Sequence, residues 1–224
     1  GIFYATKSLQ LAQKIGYSEG EIFALQELAL SYGTLGDNHK ALRISLEALR
    51  KSEENKHLRG QGLSMITLGR NYYYFKSYET SIEYLQKAIE VFKKLDDPNF
   101  IALSSANLAR SLYPIGKTDL AFDYCRKGIA LGESVGRSWP LYAVYARMGE
   151  LMRNENVLDS AFIYFRKSYE HSSGSKSSHS EIGLELAKLF LKSGQLDSCL
   201  YYADKSLQIA LENKLYSEII NTSL

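Results

Sequence analysis

Residues 28–49 read LALSYGTLGDNHKALRISLEAL, and residues 68–89, forty positions later, read LGRNYYYFKSYETSIEYLQKAI. Both stretches begin with a large apolar residue, a small one, two variable ones and a second large one. This block occurs five times, beginning at Leu28, Leu68, Leu108, Met148 and Leu186. Four equally spaced copies and a fifth at a slightly shorter interval predict that the chain is built from internal repeats.

A second block in each copy has small residues at two fixed places. The first place holds Ala41, Ser81, Ala121, Ala161 and Cys199, and the second, seven residues later, holds Ala48, Ala88, Gly128, Ser168 and Ser206. Small residues at helical spacing let two helices approach closely, while the large residues fill the seam between them. Because one such hairpin cannot bury its apolar face alone, the sequence predicts an all-α solenoid of stacked helix-turn-helix repeats.

Turn-forming and polar segments divide the chain into hairpins. The predicted boundaries are a half repeat at 1–15, five hairpins at 22–57, 62–96, 99–136, 141–172 and 180–213, and the start of a further repeat at 214–224, all in a single repeat domain over 1–224. Pro98 and Pro140 fall where first helices begin, the place at which proline costs least. Pro114 predicts that the first helix of the third copy ends early or kinks. The half repeats at the two ends predict that the chain is a piece of a larger protein.

These features together carry a family resemblance. Small residues at repeat positions 8, 20 and 27, an aromatic residue at position 11 and a Gly-Asp turn resemble the tetratricopeptide repeat (TPR). The copy that fits best comprises Leu28-Ala29, Tyr32, Gly36-Asp37, Ala41 and Ala48. The sequence departs from the family in its 40-residue period, where about 34 is usual, and in Ser81 and Cys199 at the alanine position. The turn glycine is missing in the second and fourth copies. The long repeats resemble the arrays of bacterial sensor histidine kinases and large helix-turn-helix regulators, and more weakly those of eukaryotic adaptors.

Composition excludes several other classes of protein. The 224 residues are 45% hydrophobic and 23% charged, with a formal charge of +2 that offers no global attraction to nucleic acid or an anionic membrane. No apolar run approaches the roughly 18 residues that would span a bilayer. Two cysteines cannot form a disulfide framework. We therefore expect no nucleic-acid partner and no direct membrane contact.

Motifs that could carry catalysis are weak. Residues 132–136, GESVG, match the string of a nucleophile elbow, but we expect them at the end of a helix rather than after a strand. His171 and His179 bracket a serine-rich loop without a third ligand, so we expect solvated histidines there rather than a metal site. Cys125 and Cys199 are expected to be buried, inert thiols in the seams between helices. The sequence predicts neither an enzyme nor a bound cofactor or metal.

The candidate binding residues follow from the TPR resemblance, which implies a right-handed superhelix whose first helices line a concave groove. Repeat positions 2, 5, 9 and 12 would then face this groove. Residues at or beside these positions form the candidate peptide- or protein-binding set: Arg70, Tyr73, Asn107, Arg110, Tyr113, Arg147, Glu150, Arg153 and Lys188. Arginine and tyrosine are common in binding hot spots because both give a large contact area. Alternatively, Glu150 and neighbouring acids neutralise the arginines, and the face is simply solvated.

The sequence therefore favours a non-enzymatic module that binds a peptide or protein segment, acidic if the arginines are free to receive it. The TPR resemblance implies that its parent is a signalling or regulatory protein. The sequence does not decide the cellular compartment, which is the cytoplasm, or the periplasm if the parent is a membrane sensor kinase. The alternative is a structural module that self-associates through the half repeats at its ends. Varied groove positions and the small net charge disfavour a nucleic-acid-binding repeat code.

Overall fold

The computed structural model describes residues 1–136 and 138–213, and this part of the chain is all-helical. Its helices are α1 (Ile2–Ile15), α2 (Ser18–Thr34), α3 (Asn38–Glu54), α4 (Leu58–Tyr74), α5 (Tyr78–Lys94), α6 (Pro98–Leu112), α7 (Thr118–Val135), α8 (Ser138–Asn154), α9 (Leu158–His171), α10 (Lys176–Lys192) and α11 (Leu196–Glu212). A 3₁₀ turn, Tyr113–Ile115, follows α6. The further repeat predicted at 214–224 lies outside the described residues. None of the described helices is long and apolar enough to cross a membrane.

The chain divides into two compact units, Gly1–Tyr124 and Cys125–Leu224. In the first unit each of α1 to α6 packs against its neighbours in the chain, and α4 also contacts α2 and α6. In the second unit α8 packs on α9, α9 on α10 and α10 on α11. These contacts are those of an α-solenoid of helical hairpins, which confirms the predicted fold class.

Three of the five first helices, α2, α4 and α10, begin four residues earlier than predicted. Helix α2 starts at Ser18 and α4 at Leu58, instead of residues 22 and 62, and α10 starts at Lys176 instead of residue 180. The physical reason is the 40-residue period. The additional residues lengthen each helix by about a turn, so most helices reach 17 residues. Proline behaves as predicted at Pro98, the first residue of α6, and at Pro114, where α6 gives way to the 3₁₀ turn.

The predicted core is largely confirmed. Each copy of the repeat block begins and ends with a large residue, and seven of these ten residues are buried: Leu28, Leu68, Leu108, Leu112, Met148, Leu186 and Phe190. Tyr32, Tyr72 and Met152 are half-buried. The Tyr72 ring stacks on Tyr84, with ring centroids 5.5 Å apart, so it takes part in packing without being fully enclosed.

Small residues permit close approach between helices, as the pattern predicts. A Cβ built on Gly69 would stand 2.5 Å from the side chain of Leu85, and one on Gly149 would stand 3.0 Å from that of Phe165. Serine can replace alanine or glycine at the small-residue positions because its hydroxyl donates a hydrogen bond to a backbone carbonyl of the facing helix. Ser81 Oγ donates to the carbonyl oxygen of Gly69 at 2.6 Å, and Ser168 Oγ donates to that of Tyr142 at 2.6 Å. Cys199, by contrast, is only half-buried, so its predicted full burial is wrong.

The turns between helices are regularly spaced along the sequence. A residue with positive φ recurs at a constant interval of half a repeat, at Gly16, Gly36, Lys56, Lys76, Asp96, Gly116, Gly136 and Asn156, and once more at Gly194. Glycine takes this left-handed conformation without a Cβ penalty. The second and fourth hairpins lack the glycine, and Lys76 and Asn156 take its place with φ of 58° and 60°. The backbone turn therefore keeps its shape where the sequence of the turn differs.

Enlarging a small seam residue is expected to destabilise the protein. Ala88 is fully buried in the cluster that contains Phe92. Ala88→Leu should lower the free energy of unfolding by about 1–3 kcal/mol, because overpacking forces side chains off their rotamers. Ala48→Leu should behave alike. Urea unfolding measures the change, with the exposed Ala130→Leu as control. Unchanged curves for both seam variants would contradict the assigned register.

Candidate functional site

The predicted binding residues lie on the first helices of the hairpins, in both units. In the first unit α4 carries Arg70 and Tyr73, α6 carries Asn107 and Arg110, and the 3₁₀ turn carries Tyr113. In the second unit α8 carries Arg147, Glu150 and Arg153, and α10 carries Lys188. The side chains of the two units have different partners.

In the first unit the structure brings Arg110 onto two tyrosines of the preceding first helix. The guanidinium carbon of Arg110 lies 4.4 Å from the ring centroid of Tyr73 and 5.3 Å from that of Tyr74. The two rings meet edge to face, with centroids 5.7 Å apart, and the Tyr78 ring lies 5.7 Å from Tyr73. Arg70 occupies on α4 the repeat position that Arg110 occupies on α6, and these two helices are in contact. We call Arg70, Tyr73, Tyr74 and Arg110 the Arg–Tyr patch.

Within the described residues no carboxylate pairs with either arginine of the Arg–Tyr patch. Arg70 is half-buried and has no ion pair or hydrogen bond in this part of the chain. Arg110 Nε is buried, and the described residues offer it no hydrogen-bond acceptor. Burial alone would lower the pKa of the Arg110 guanidinium, but the phenolic oxygens of Tyr74 and Tyr73 outweigh that effect and raise it. Arg110 thus remains a cation held by the two tyrosines, and its buried Nε–H has no acceptor among the described residues.

Two other predicted residues of the first unit have different surroundings. The Asn107 amide is buried and donates to the carbonyl oxygen of Leu103 on its own helix at 2.9 Å, so it lies outside the Arg–Tyr patch. Tyr113 is half-buried in the 3₁₀ turn that follows α6. Tyr74 is a member that the sequence reasoning missed. Its place directly after Tyr73, in the last turn of α4, was the available signal.

In the second unit the basic residues are neutralised. Arg147 forms an ion pair with Glu150 on the same helix. Arg153 pairs with Glu185 of α10, and Lys188 Nζ lies 2.9 Å from the other oxygen of Glu185. The alternative considered from the sequence, in which neighbouring acids neutralise the arginines, therefore describes this unit. Glu185 was missed because the pair joins two helices that are far apart in the sequence.

Histidines at the serine-rich loop are packed rather than solvated, so that expectation is wrong. The His179 ring stacks on Tyr169, with centroids 3.8 Å apart, and its Nδ1 lies 2.8 Å from Ser172 Oγ. His171 lies 5.7 Å from the Tyr145 ring. No group of three or more His, Cys, Asp or Glu residues in the described ranges could hold a metal ion. Ser134 of the GESVG string lies in the last turn of α7 and donates to the carbonyl oxygen of Leu131.

The environment of His179 predicts a pH-dependent stability. Burial lowers its pKa, and Lys205 and Lys176 act in the same direction, while a hydrogen bond with the Tyr169 backbone opposes them. The unfolded chain binds the proton more readily than the folded one, so neutral His179 contributes its full stabilisation above the unfolded pKa of about 6.5. This contribution is lost as the pH falls through the lower pKa of His179 in the folded protein. In His179→Gln, the free energy of unfolding measured with urea should fall less between pH 7.5 and pH 5 than it does in the unaltered chain. The exposed His39→Gln is the control and should follow the unaltered chain; a slope unchanged in His179→Gln would contradict the assignment.

Cys125 is buried as predicted, and burial raises the pKa of its thiol to about 12, with Arg147 and Arg126 opposing the shift. At neutral pH the sulfur is therefore a thiol, which is the poorly nucleophilic form. The half-buried Cys199 belongs to α11.

Comparisons with known proteins agree with this architecture. Residues 21–94, which run from the first turn of α2 to the end of α5, match the model of the tetratricopeptide repeat family. The resemblance to that family is thereby confirmed for the first two complete hairpins. Comparison of the sequence with curated proteins gives no match.

Several solved structures share the fold. BtubC from P. vanneervenii is 16% identical, with a TM-score of 0.66 over 95% of this chain and 91% of its own. The Rap conjugation gene regulator of plasmid pLS20, in complex with the Phr* peptide, is 18% identical, with a TM-score of 0.76 over 92% of this chain and 58% of its own. A Rap protein complexed with Competence and Sporulation Factor is 13% identical, with a TM-score of 0.79 over 95% of this chain and 61% of its own. The chain spans about three fifths of these two Rap proteins, and the likeness establishes a TPR-like helical repeat fold.

Proposed function

We propose that this chain is a non-enzymatic module of a signalling or regulatory protein, and that it binds an acidic peptide or protein segment at the Arg–Tyr patch. The observation that carries the proposal is the state of Arg110. Its guanidinium is held on Tyr73 and Tyr74, and no carboxylate of the described residues pairs with it. Two of the similar structures are complexes, one with the Phr* peptide and one with Competence and Sporulation Factor, which supports a peptide ligand; its acidity is proposed from Arg110 alone.

The patch has the chemistry for a carboxylate ligand. A guanidinium presents a planar fork of N–H donors that can bind a carboxylate through two parallel, charge-assisted hydrogen bonds. The tyrosine faces restrict Arg110 to few conformations, so less conformational entropy is lost when a ligand binds. The phenolic groups beside it offer further hydrogen bonds and a flat apolar surface for the ligand backbone.

The second unit is a poorer candidate for the same ligand. Its arginines already have carboxylate partners, namely Glu150 for Arg147 and Glu185 for Arg153. An acidic segment would have to displace these partners, which costs the ligand most of the energy that the new contacts provide. We therefore assign the ligand to the first unit, and we give Lys188, Arg147, Glu150 and Arg153 no direct role in holding it.

Binding of defined peptides tests the proposal. A fluorescein-labelled peptide rich in glutamate and glycine should bind the chain, and its affinity should fall as salt screens the charges. The same peptide with glutamine in place of glutamate should bind far more weakly. Equal affinity for the two peptides in fluorescence anisotropy would show that carboxylates are not recognised, and the proposal would be wrong.

Self-association is a second candidate function, and the exposed face of α1 favours it. Phe3, Tyr4, Leu11 and Ile15 are all more than half exposed on this helix. Large apolar patches on a protein surface commonly mark interaction sites. Sedimentation of the unaltered chain and of Leu11→Asp tests this candidate: a dimer that the substitution dissociates supports it, whereas a monomer at every concentration excludes it.

A further inference from the structure

The N-terminal end of α9 exposes apolar residues where the second helices of the three preceding hairpins carry polar ones. Ile163 is 54% exposed, and the residues at its position in the three preceding hairpins are Arg43, Glu83 and Asp123. Val157 is 46% exposed, and its counterparts are Asp37, Ser77 and Lys117. The fold does not need apolar side chains at these places, because three earlier copies form the same hairpin without them.

This surface borders a cavity of about 330 Å³ between α9 and α10. Its apolar wall includes Phe162, Ile163, Leu189 and Phe190. The Phe162 and Phe190 rings meet edge to face with centroids 4.7 Å apart, and Phe190 stacks on Tyr202 at 5.5 Å. The aromatic wall is therefore fixed by contacts with α11, and the volume lies within the range of about 300–1,000 Å³ that is common for ligand pockets.

Exposed apolar residues also occur in the part of α11 that follows the cavity. Gln195, the residue before α11, lines the same cavity. Leu196 and Leu200 follow in the first two turns of α11 and are 60% and 63% exposed. We define the α9–α11 face as Val157, Leu158, Ile163, Leu196 and Leu200 together with the cavity.

Two exposed carboxylates lie in the first turns of α9 and α11. Asp159 lines the cavity, and Asp197 holds the same repeat position in the first turn of α11. Both are exposed, and the described residues contain no ion pair for either. No Lys, Arg or His among the described residues lines the cavity. A nearby cation, Lys192, has its Nζ 3.0 Å from Asn156 Oδ1, to which it donates a hydrogen bond.

We propose that the α9–α11 face binds a basic amphipathic helix of a partner protein. A large apolar side chain of that helix fills the cavity against Phe162 and Phe190. Further apolar residues at helical spacing cover Leu196 and Leu200, and lysine or arginine residues of the partner approach Asp159 and Asp197. This mode is the helix-in-groove type of recognition, in which anchors recur every three or four residues. The site lies in the second unit and is independent of the Arg–Tyr patch.

A designed peptide probes this surface. The probe is a fluorescein-labelled peptide of leucine and lysine, about 15 residues long, with leucines at helical spacing; a second peptide has glutamate in place of lysine. The leucine–lysine peptide should bind in fluorescence anisotropy and the leucine–glutamate peptide should not. Equal binding of the two would overturn the assigned charge preference.

Variants locate the contact. Ile163→Asp restores the residue type of the third hairpin, so the fold is expected to tolerate it, and it should weaken binding of the leucine–lysine peptide about tenfold. It adds a negative charge, so a purely electrostatic attraction would instead strengthen binding. Leu46→Asp adds the same charge at an exposed leucine of α3 and should leave binding intact. The double variant Arg70→Glu with Arg110→Glu should also bind normally, which separates this proposal from the proposed function.

Two outcomes would overturn the proposal. One is unchanged affinity of Ile163→Asp for the leucine–lysine peptide, which would mean that the peptide does not use the cavity. The other is a dimer of the unaltered chain that Ile163→Asp dissociates in sedimentation. The α9–α11 face would then be occupied by a second copy of the chain rather than by a basic helix.

Discussion

Arg70→Glu combined with Arg110→Glu is expected to weaken binding of a glutamate-rich peptide by about a hundredfold or more at low salt. Each guanidinium–carboxylate hydrogen bond contributes about 1.5–3 kcal/mol, and the introduced carboxylates also repel the ligand. The loss should shrink with added salt, since these charges are partly exposed. Anisotropy titration of the labelled peptide measures the effect.

Matched controls distinguish a binding role of these arginines from a structural one. Arg43→Glu with Arg126→Glu makes the same change in net charge at exposed positions of α3 and α7 and should alter affinity little. Loss of the Arg110 contact with Tyr73 and Tyr74 should reduce stability by only about 0.5–2 kcal/mol. If the double patch variant keeps its affinity, or if it unfolds, the arginines are structural and the proposed site is wrong.

Phe165→Ala is expected to produce the largest loss of stability, about 3–5 kcal/mol. The ring is fully buried in a cluster with Ala161, Ile182 and Leu186, and it fills the space opposite Gly149. Truncation removes this apolar area and leaves a cavity that packed helices cannot close. Urea unfolding followed by circular dichroism gives the change in free energy.

The control for this prediction is Phe3→Ala. Phe3 is 62% exposed on α1, so its truncation should change stability by less than about 0.5 kcal/mol. Phe165→Leu should cost less than Phe165→Ala because it retains most of the buried volume. A Phe165→Ala variant as stable as the unaltered chain would mean that the fourth hairpin does not pack as described.

The repeat fold could be predicted because its sequence pattern reports packing directly. A small residue at a fixed place, such as Gly69, occurs where a large one, Leu85, approaches from the second helix. The same pattern says little about where a helix starts. The first turn of α2, from Ser18, lies outside the repeated apolar positions, so its beginning could not be derived from them.

The candidate site was only partly predictable, since repeat position identifies a surface but not the partners on it. Arg110 and Arg153 both lie on first helices, yet one rests on tyrosines and the other pairs with Glu185. That difference depends on which side chain the next helix presents, a contact between residues more than thirty positions apart. His179 was misjudged for a similar reason, because its stacking partner Tyr169 lies across the loop on α9.

The left-handed turn residue that recurs at each half repeat has a consequence for how such a gene can change length. Duplication or loss of the codons of one full repeat returns the polypeptide to the same turn and the same alternation of first and second helices. A duplication or loss of half that length would put a second helix wherever a first helix is required in all later repeats. The connection between α9 and α10 departs from this regular spacing. The two positive-φ residues on either side of it, Asn156 and Gly194, are separated by slightly less than a full repeat. That serine-rich connection is thus where insertion of a tag or a protease site should be tolerated best.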